Sequence, residues 1–224
     1  MTGLLVPREE LRFQLFDWLD VDALLRAPRF EAHSRETVEA VIDGCERLAE
    51  DVFAPCAQLA DRQEPSFDGE RVSVPREVAD AVRAFADSGL IAATQDEAVG
   101  GMQLPVTVEK AALACLYAAN IGACAYPALT IGNAALLLAQ GTPAQVEAFA
   151  LPQLRGEWTG TMCLSEPQAG SSLSDITTRA DFECDSPLGP QYRLAGRKMW
   201  ISGGEHEILG NIVHLVLAKV PDAD

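Results

Sequence analysis

The chain has 224 residues, 48% of them hydrophobic, and a formal net charge of −16. That length and apolar content suit one large domain or two smaller ones with real cores, and argue against a disordered chain. The charge is −11 over residues 1–155 and −5 over 156–224, so no basic stripe exists to neutralise phosphates, which argues against nucleic acid as a partner.

Met1 to Arg12 lacks a basic segment followed by an apolar core, so no signal peptide is expected. Residues 8–26 are expected to form an amphipathic helical arm. Its Leu11, Phe13, Leu15, Phe16, Trp18 and Leu19 must dock, either on the chain's own body or on a neighbouring subunit. Ser34 suits the cap of a long helix whose Val38, Val41, Ile42, Cys45, Leu48, Ala49, Val52 and Phe53 recur at three- and four-residue steps. Pro55 is expected to end or kink it. Pro75 suits a first helical position, Val78, Val82, Phe85 and Ala86 continue an apolar stripe, and Gly89 suits a C-cap. Asp96 to Pro105 reads as a loop around Gly100-Gly101.

Thr107–Ala119 and Ala128–Gln140 are apolar on most faces and belong inside a bundle. The apolar stretch from Ile121 to Ala139 is interrupted by Gly122, Pro127, Gly132 and Asn133, so it reads as a buried helical region rather than a membrane span. Thr142-Pro143-Ala144-Gln145 is a capping-box pattern. No strand alternation is seen before Arg155. The six cysteines form no C-x-x-C and are expected as buried thiols in a reducing cytoplasm. No metal site is suggested; His33, His206 and His214 are scattered. There is no G-x-S-x-G and no G-x-G-x-x-G, so neither a hydrolase elbow nor a Rossmann site is supported.

From Gly156 the texture changes. Trp158, Met162 and Leu164 alternate with Thr159, Thr161 and Ser165, the period of a half-buried strand, over Trp158–Ser165. It stops at Glu166-Pro167, Gly170 allows a turn, and Ser171 and Ser172 follow. A strand end with free amides and hydroxyls can seat a heteroatom-rich ligand; it is equally the composition of an ordinary polar corner. Further strands are expected over Ile176–Glu183, Tyr192–Leu194, Lys198–Ser202 and Ile212–Val220, paired antiparallel. Asp185 to Pro190 and Ala195-Gly196 are the expected turns. Lys198-Met199-Trp200-Ile201-Ser202-Gly203-Gly204 sets a flat indole beside a hydroxyl. An indole there serves as core filler or stacks on a planar cofactor.

Met162-Cys163-Leu164-Ser165-Glu166-Pro167-Gln168-Ala169-Gly170-Ser171 and Lys198 to Gly203, at this spacing, resemble the two flavin-contacting runs of the acyl-CoA dehydrogenase family. Arg12 to Val21, Gly156 to Met162 and Gly204 to Ala218 resemble its long branch that includes 3-methylmercaptopropionyl-CoA dehydrogenase. The resemblance implies an α+β fold: an all-α domain over residues 1–155, then an incomplete antiparallel β-barrel-like middle domain over 156–224. The family's C-terminal helical domain, which carries the catalytic glutamate, is absent from these residues. The implied cofactor is FAD. Met162, Leu164 and Ser165 would lie along the isoalloxazine edge, with the backbone of Leu164 and Ser165 hydrogen-bonding to it. Trp200, with Ile201 beside it, would cover a flavin face, and Ser202 would reach the N5 region. Ser171 would meet the phosphate-bearing part of FAD or of CoA. Ser165 replaces the usual threonine, Met162 stands where many relatives have an aromatic ring, and Ser172 departs from a common Ser-Asp pair.

The implied reaction is α,β-desaturation of an acyl-CoA thioester, by proton abstraction and hydride transfer to flavin N5. The implied partners are the acyl-CoA, an electron-transfer flavoprotein or other acceptor, and further subunits in a homo-oligomer or a partner chain. No catalytic residue is assigned here: Glu166 is structural in the family, and Glu205-His206-Glu207 suits a solvated strand exit. The alternative is a short non-catalytic subunit or remnant, acting in binding or assembly with a chain that supplies the glutamate.

Overall fold

A computed structural model describes residues 6–221. Residues 1–5 and 222–224, the outer ends of the two expected domains, lie outside the described residues. The arm consists of α1 (Arg8–Arg12), a π-helical turn over Phe13–Trp18, and α2 (Val21–Leu24). Its Leu11, Leu15, Phe16 and Val21 are buried in the main core. Of the two expected docking surfaces, the chain's own body receives this apolar face, while Phe13, Trp18 and Leu19 stay exposed. Arg8 pairs with Glu39 at 2.7 Å, with Asp43 and with Glu46. These three carboxylates share one helical face by their four- and three-residue steps.

They stand on α3 (Arg35–Leu48), which begins with a capping box: Thr37 N donates to Ser34 Oγ at 3.3 Å and Ser34 N to Thr37 Oγ1 at 2.7 Å. Pro55 does not stop the helix. A π turn over Ala49–Phe53 leads into α4 (Ala54–Arg62). Proline lacks an N–H and crowds the carbonyl four residues back, and widening the preceding turn relieves both problems. The same device precedes Pro152, where a π turn over Val146–Ala150 joins α7 (Pro143–Gln145) to α8 (Leu151–Leu154). In α5 (Arg76–Asp87), Pro75 is the N-cap rather than the first helical residue. Gly89, at φ 77°, turns the chain after it.

A short hairpin, β1 (Ser66–Phe67) with β2 (Val72–Ser73), corrects the expectation of no strand before Arg155. Strands of two residues show no alternation. The readable signal was Asp68-Gly69, a hairpin-turn pair. Asp68 Oδ1 accepts from Glu70 N and Arg71 N, both at 2.8 Å, and Gly69 sits at φ 108°.

The two expected central helices form one run, α6 (Val106–Gln140), broken at Asn120 (φ −161°, ψ 89°). Asn120 Oδ1 accepts from Ala123 N at 3.0 Å, so the second half restarts from an internal cap. By length and composition α6 is long and apolar enough to cross a membrane. Here one side of it packs on α3, α4, α5 and the sheet, with Glu109, Asn120, Thr130 and Asn133 among its buried residues, while Val106, Ile121 and Leu136 are exposed.

After α8 come β3 (Thr159–Cys163), β4 (Arg179–Ser186), β5 (Gly189–Ala195) and β6 (Ile212–Val216). β4 and β5 form an antiparallel hairpin. The uniformly antiparallel expectation fails for β3 and β6, which pair in parallel with Thr161 opposite His214. The excursion between them is long enough for the crossover that parallel strands require. A bridge between Arg179 and Lys219 joins the two pairs, and among the described residues they do not close into a barrel. Lys198–Ser202 is not a strand: Trp200 adopts φ 61°, incompatible with extended backbone.

α6 holds β3 through buried polar groups. Asn133 Nδ2 donates to Thr161 O at 2.9 Å and to Val213 O at 2.8 Å, touching both parallel strands. Gln153 Nε2 donates to Asn133 Oδ1 at 2.9 Å, and Gly160 N donates to Thr130 Oγ1 at 3.0 Å. A Cβ at residue 160 would lie 2.2 Å from Gln153 Oε1 and 2.5 Å from Asn133 Cβ. Gly160→Ala should therefore cost roughly 1–3 kcal/mol or more. Gly44→Ala, in mid-α3 where a Cβ meets nothing within 4 Å, should stabilise by about 0.5–1 kcal/mol. Urea midpoints of the two variants check this, and equal midpoints would contradict it.

Candidate functional site

The exit of β3 is organised by Glu166, whose side chain is almost wholly buried. The Glu166–Ala169 turn closes on itself, with Glu166 N donating to Ala169 O at 2.7 Å and Ala169 N to Glu166 O at 3.1 Å. Pro167 stands at the turn position that its fixed φ favours. The carboxylate accepts from Gln168 Nε2 (2.8 Å), Thr177 N (2.7 Å), Thr177 Oγ1 (2.8 Å), Thr178 N (3.0 Å) and Lys198 Nζ (2.9 Å). Burial by itself would raise its pKa. Hydrogen bonds from Thr178, Thr177 and Lys198 outweigh burial and hold it well below the usual carboxylate range. Glu166 is thus a fully occupied, ionised anchor with no lone pair left for proton transfer.

Lys198 carries the anchor to the second motif. Its Nζ also donates to Leu164 O at 2.9 Å, and Met199 N donates to Ser165 O at 3.1 Å. Gly196 permits this approach, since a Cβ there would lie 2.2 Å from Thr178 Oγ1. The two runs singled out in the sequence therefore meet side by side. Both carbonyls of Leu164 and Ser165 are used inside the protein. Their N–H groups find no acceptor among the described residues.

The expected site residues fall into three groups. Leu164 and Ser165 stand at the strand exit, with Trp200, Ile201 and Ser202 next along the adjoining segment. Trp200 is 84% exposed in spite of its size, and its left-handed backbone is uncommon for a bulky residue. Met162 turns toward α6: its Cε lies 3.7 Å from where a Gly132 Cβ would sit. Ser171 is exposed on the excursion after Gly170, and no hydrogen bond joins it to the other residues among those described.

The sequence reading missed the side of β3 that faces away from α6. Thr159, Thr161 and Cys163 line it by alternation and are buried. His214 Nδ1 lies 2.7 Å from Thr161 Oγ1, and His206 Nε2 lies 3.2 Å from Thr159 Oγ1. The expectation of a solvated Glu205-His206-Glu207 cluster holds for the two glutamates but not for His206, which is buried. The readable signal was the pair of strand threonines, which need partners once buried.

The sign of the pH dependence follows from the lowered Glu166 pKa. Its contribution is complete above the unfolded carboxylate value, about 4.3, and is lost as pH falls through the lower folded value. At neutral pH Glu166→Gln should destabilise more than Glu157→Gln, which removes only the exposed pair with Arg155. The gap between wild type and Glu166→Gln should narrow steadily in acid. Urea titrations across pH measure this, and a pH-independent gap would contradict the ionised anchor.

A family model described as acyl-CoA dehydrogenase, N-terminal domain, matches residues 35–157. The 3-methylmercaptopropionyl-CoA dehydrogenase of Ruegeria pomeroyi is 35% identical over 210 residues, covering 93% of this chain and 34% of that protein. A butyryl-CoA dehydrogenase of Syntrophomonas wolfei is 29% identical over 223 residues, covering 98% of this chain and 36% of that protein. The chain spans about a third of the length of these curated relatives. Among solved structures, the fold is shared with glutaryl-CoA dehydrogenase from Mycobacterium smegmatis, at TM-score 0.66 and 20% identity over 92% of this chain and 46% of that one. It is also shared with an acyl-CoA dehydrogenase complexed with FAD from Bacillus anthracis, at TM-score 0.66 and 21% identity over 85% of this chain and 30% of that one. On the family model and the sequence identities, this chain belongs to the acyl-CoA dehydrogenase family.

Proposed function

We propose that this chain is the flavin-contacting N-terminal portion of an FAD-dependent acyl-CoA dehydrogenase that desaturates an acyl-CoA thioester. The observation that carries the reading is the junction of the two motifs. Lys198 and Met199 are bonded to Leu164 and Ser165, which sets unpaired N–H donors beside an exposed indole. Unpaired amides suit the heteroatom edge of a flavin ring, and an exposed indole suits its face. Leu164 and Ser165 would hold the ring edge through their N–H groups, and Trp200 and Ile201 would pack on a face. Ser202 would donate near N5, with Met162 backing the ring from the α6 side. Ser171 would meet a phosphate of FAD or CoA. When bound, FAD supplies the hydride acceptor.

The proton at the carbon beside the thioester carbonyl must go to a carboxylate base. Glu166, the carboxylate nearest the strand exit, has its lone pairs occupied. Glu166 is thus not that base; on this reading the base would be the glutamate that the resemblance places in the family's C-terminal helical domain. Residues 1–155 would serve as the helical domain and 156–224 as the start of the sheet domain. The six free cysteines, five buried and Cys184, on the β4–β5 hairpin, exposed against expectation, suit a reducing cytoplasm, an electron-transfer flavoprotein would take the electrons, and further subunits would complete the enzyme.

Visible absorption of the purified chain, with mass spectrometry of released cofactor, tests the reading. Stoichiometric FAD is expected. Trp200→Ala should weaken FAD retention about tenfold or more, consistent with about 1–3 kcal/mol for stacking on an aromatic ring. Glu157→Gln should leave it unchanged. A folded chain that is colourless and refuses added FAD would sink the reading for this chain and favour a non-catalytic role in assembly.

A further inference from the structure

The segment carrying Trp200 and Ser202 leaves the β3 exit at Met199 and rejoins the strand's opposite end at Gly210, whose N donates to Glu157 O at 3.0 Å. Between these points it is moored from inside. Gly203, at φ 63°, lies against Tyr126 of α6, where a Cβ would come within 3.1 Å of the ring. Ile208 is buried beside Ala79 and Val82 of α5. Arg83 Nε donates to Ile208 O at 3.0 Å. The innermost mooring is His206, 4% exposed, with its ring edge-on to Tyr126 at 5.2 Å and 80°.

The hydrogen bonds of His206 determine its proton. Ile208 N lies 3.2 Å from Nδ1, and an amide only donates, so Nδ1 presents a lone pair. In the neutral ring Nε2 then carries the hydrogen and donates to Thr159 Oγ1, which lies 3.5 Å from Asn211 O. We infer that His206 is a positioning residue: its neutral ring ties the Trp200–Gly210 segment to β3 by accepting from Ile208 and donating to Thr159. This inference rests on the reading of Trp200 and Ser202 as flavin contacts. A protonated ring would set an N–H against the Ile208 N–H and break the tie.

The groups around the ring agree with a neutral form. Tyr126 faces it from α6, Thr159 from β3 and His214 from β6. On its own segment Glu205 and Glu207 are exposed, with Glu207 paired to Arg71, and Arg83 of α5 is engaged at Ile208 O. Burial, and then His214, push the His206 pKa down. For a lowered histidine the stabilising contribution is complete above the unfolded value, about 6.5. It shrinks as pH falls toward the lower folded value.

The test uses the isotopically labelled 224-residue chain. Amide exchange of Ile208 and the α-proton shift of Gly203, displaced by the Tyr126 ring, are read by NMR, and FAD affinity by absorption. In His206→Ala, Ile208 should exchange about tenfold faster or more, and FAD should bind about tenfold more weakly, the size of one well-made hydrogen bond. The Gly203 signal should move toward its random-coil position. His206→Asn, which keeps an acceptor near Nδ1, should retain Ile208 protection. Acidification far enough to protonate the ring should move the Gly203 signal in wild type as His206→Ala does, and not in His206→Asn. Unchanged Ile208 and Gly203 signals in His206→Ala overturn the inference. Should that variant fail to fold, Thr159→Val decides: an unmoved Gly203 signal there overturns it equally. A wild-type chain that takes no FAD sinks the flavin reading, while the two NMR signals still decide the role of His206.

Discussion

A carboxylate withdrawn from water is tolerated only when its lone pairs are filled, and Glu166 makes that requirement the organiser of the β3 exit. Its donors come from Gln168, Thr177, Thr178 and Lys198, so satisfying one side chain closes both a short turn and a long excursion. The arrangement is all-or-none in character. Each donor is positioned by the segment it belongs to, and each segment is held by the carboxylate. Lys198 then delivers Met199 to Ser165 and Trp200 to the strand end. The placement of the candidate flavin contacts is thus a consequence of electrostatics one layer beneath them.

A second polar junction complements the first. Apolar burial drives α6 onto the sheet, but it is non-directional and does not choose which residue meets which. Asn133 supplies the direction by binding a carbonyl on each of two parallel strands, and Gln153 holds its amide in orientation. Gly160 is the steric counterpart, since the close approach that these bonds require leaves no space for a side chain. Helical body and sheet are therefore joined in one register, and the β3 exit inherits its position from the helices.

What was legible in the sequence was mostly local. The caps at Ser34 and Thr142 and the turn at Gly89 follow from chemistry spanning three or four residues, and they appear where that chemistry places them. The place of the strand over Thr159–Cys163 was legible from its alternation, although its threonine side is buried rather than solvated, and the meeting of the two motifs was implied by resemblance. The parallel pairing of β3 with β6 was not legible, because strand partners are chosen by distant contacts. The left-handed Trp200 was hidden by a context rich in residues that favour extended backbone. His206 was hidden by its glutamate neighbours: charged flanks suggested solvent, yet the ring between them turns inward. Pro55 misled in a different way, since a helix can widen at a proline and continue.

The backbone of Trp200 sets two selection pressures against each other. A residue at φ 61° is more comfortable as glycine or asparagine, so a screen for thermal tolerance alone would discard the indole. Keeping a large ring there, out in water, gains nothing for the fold by itself. Drift at this position would therefore reveal which demand a lineage still answers. A lineage that retains tryptophan would be answering a demand beyond the fold, and one that has relaxed to glycine only the fold itself.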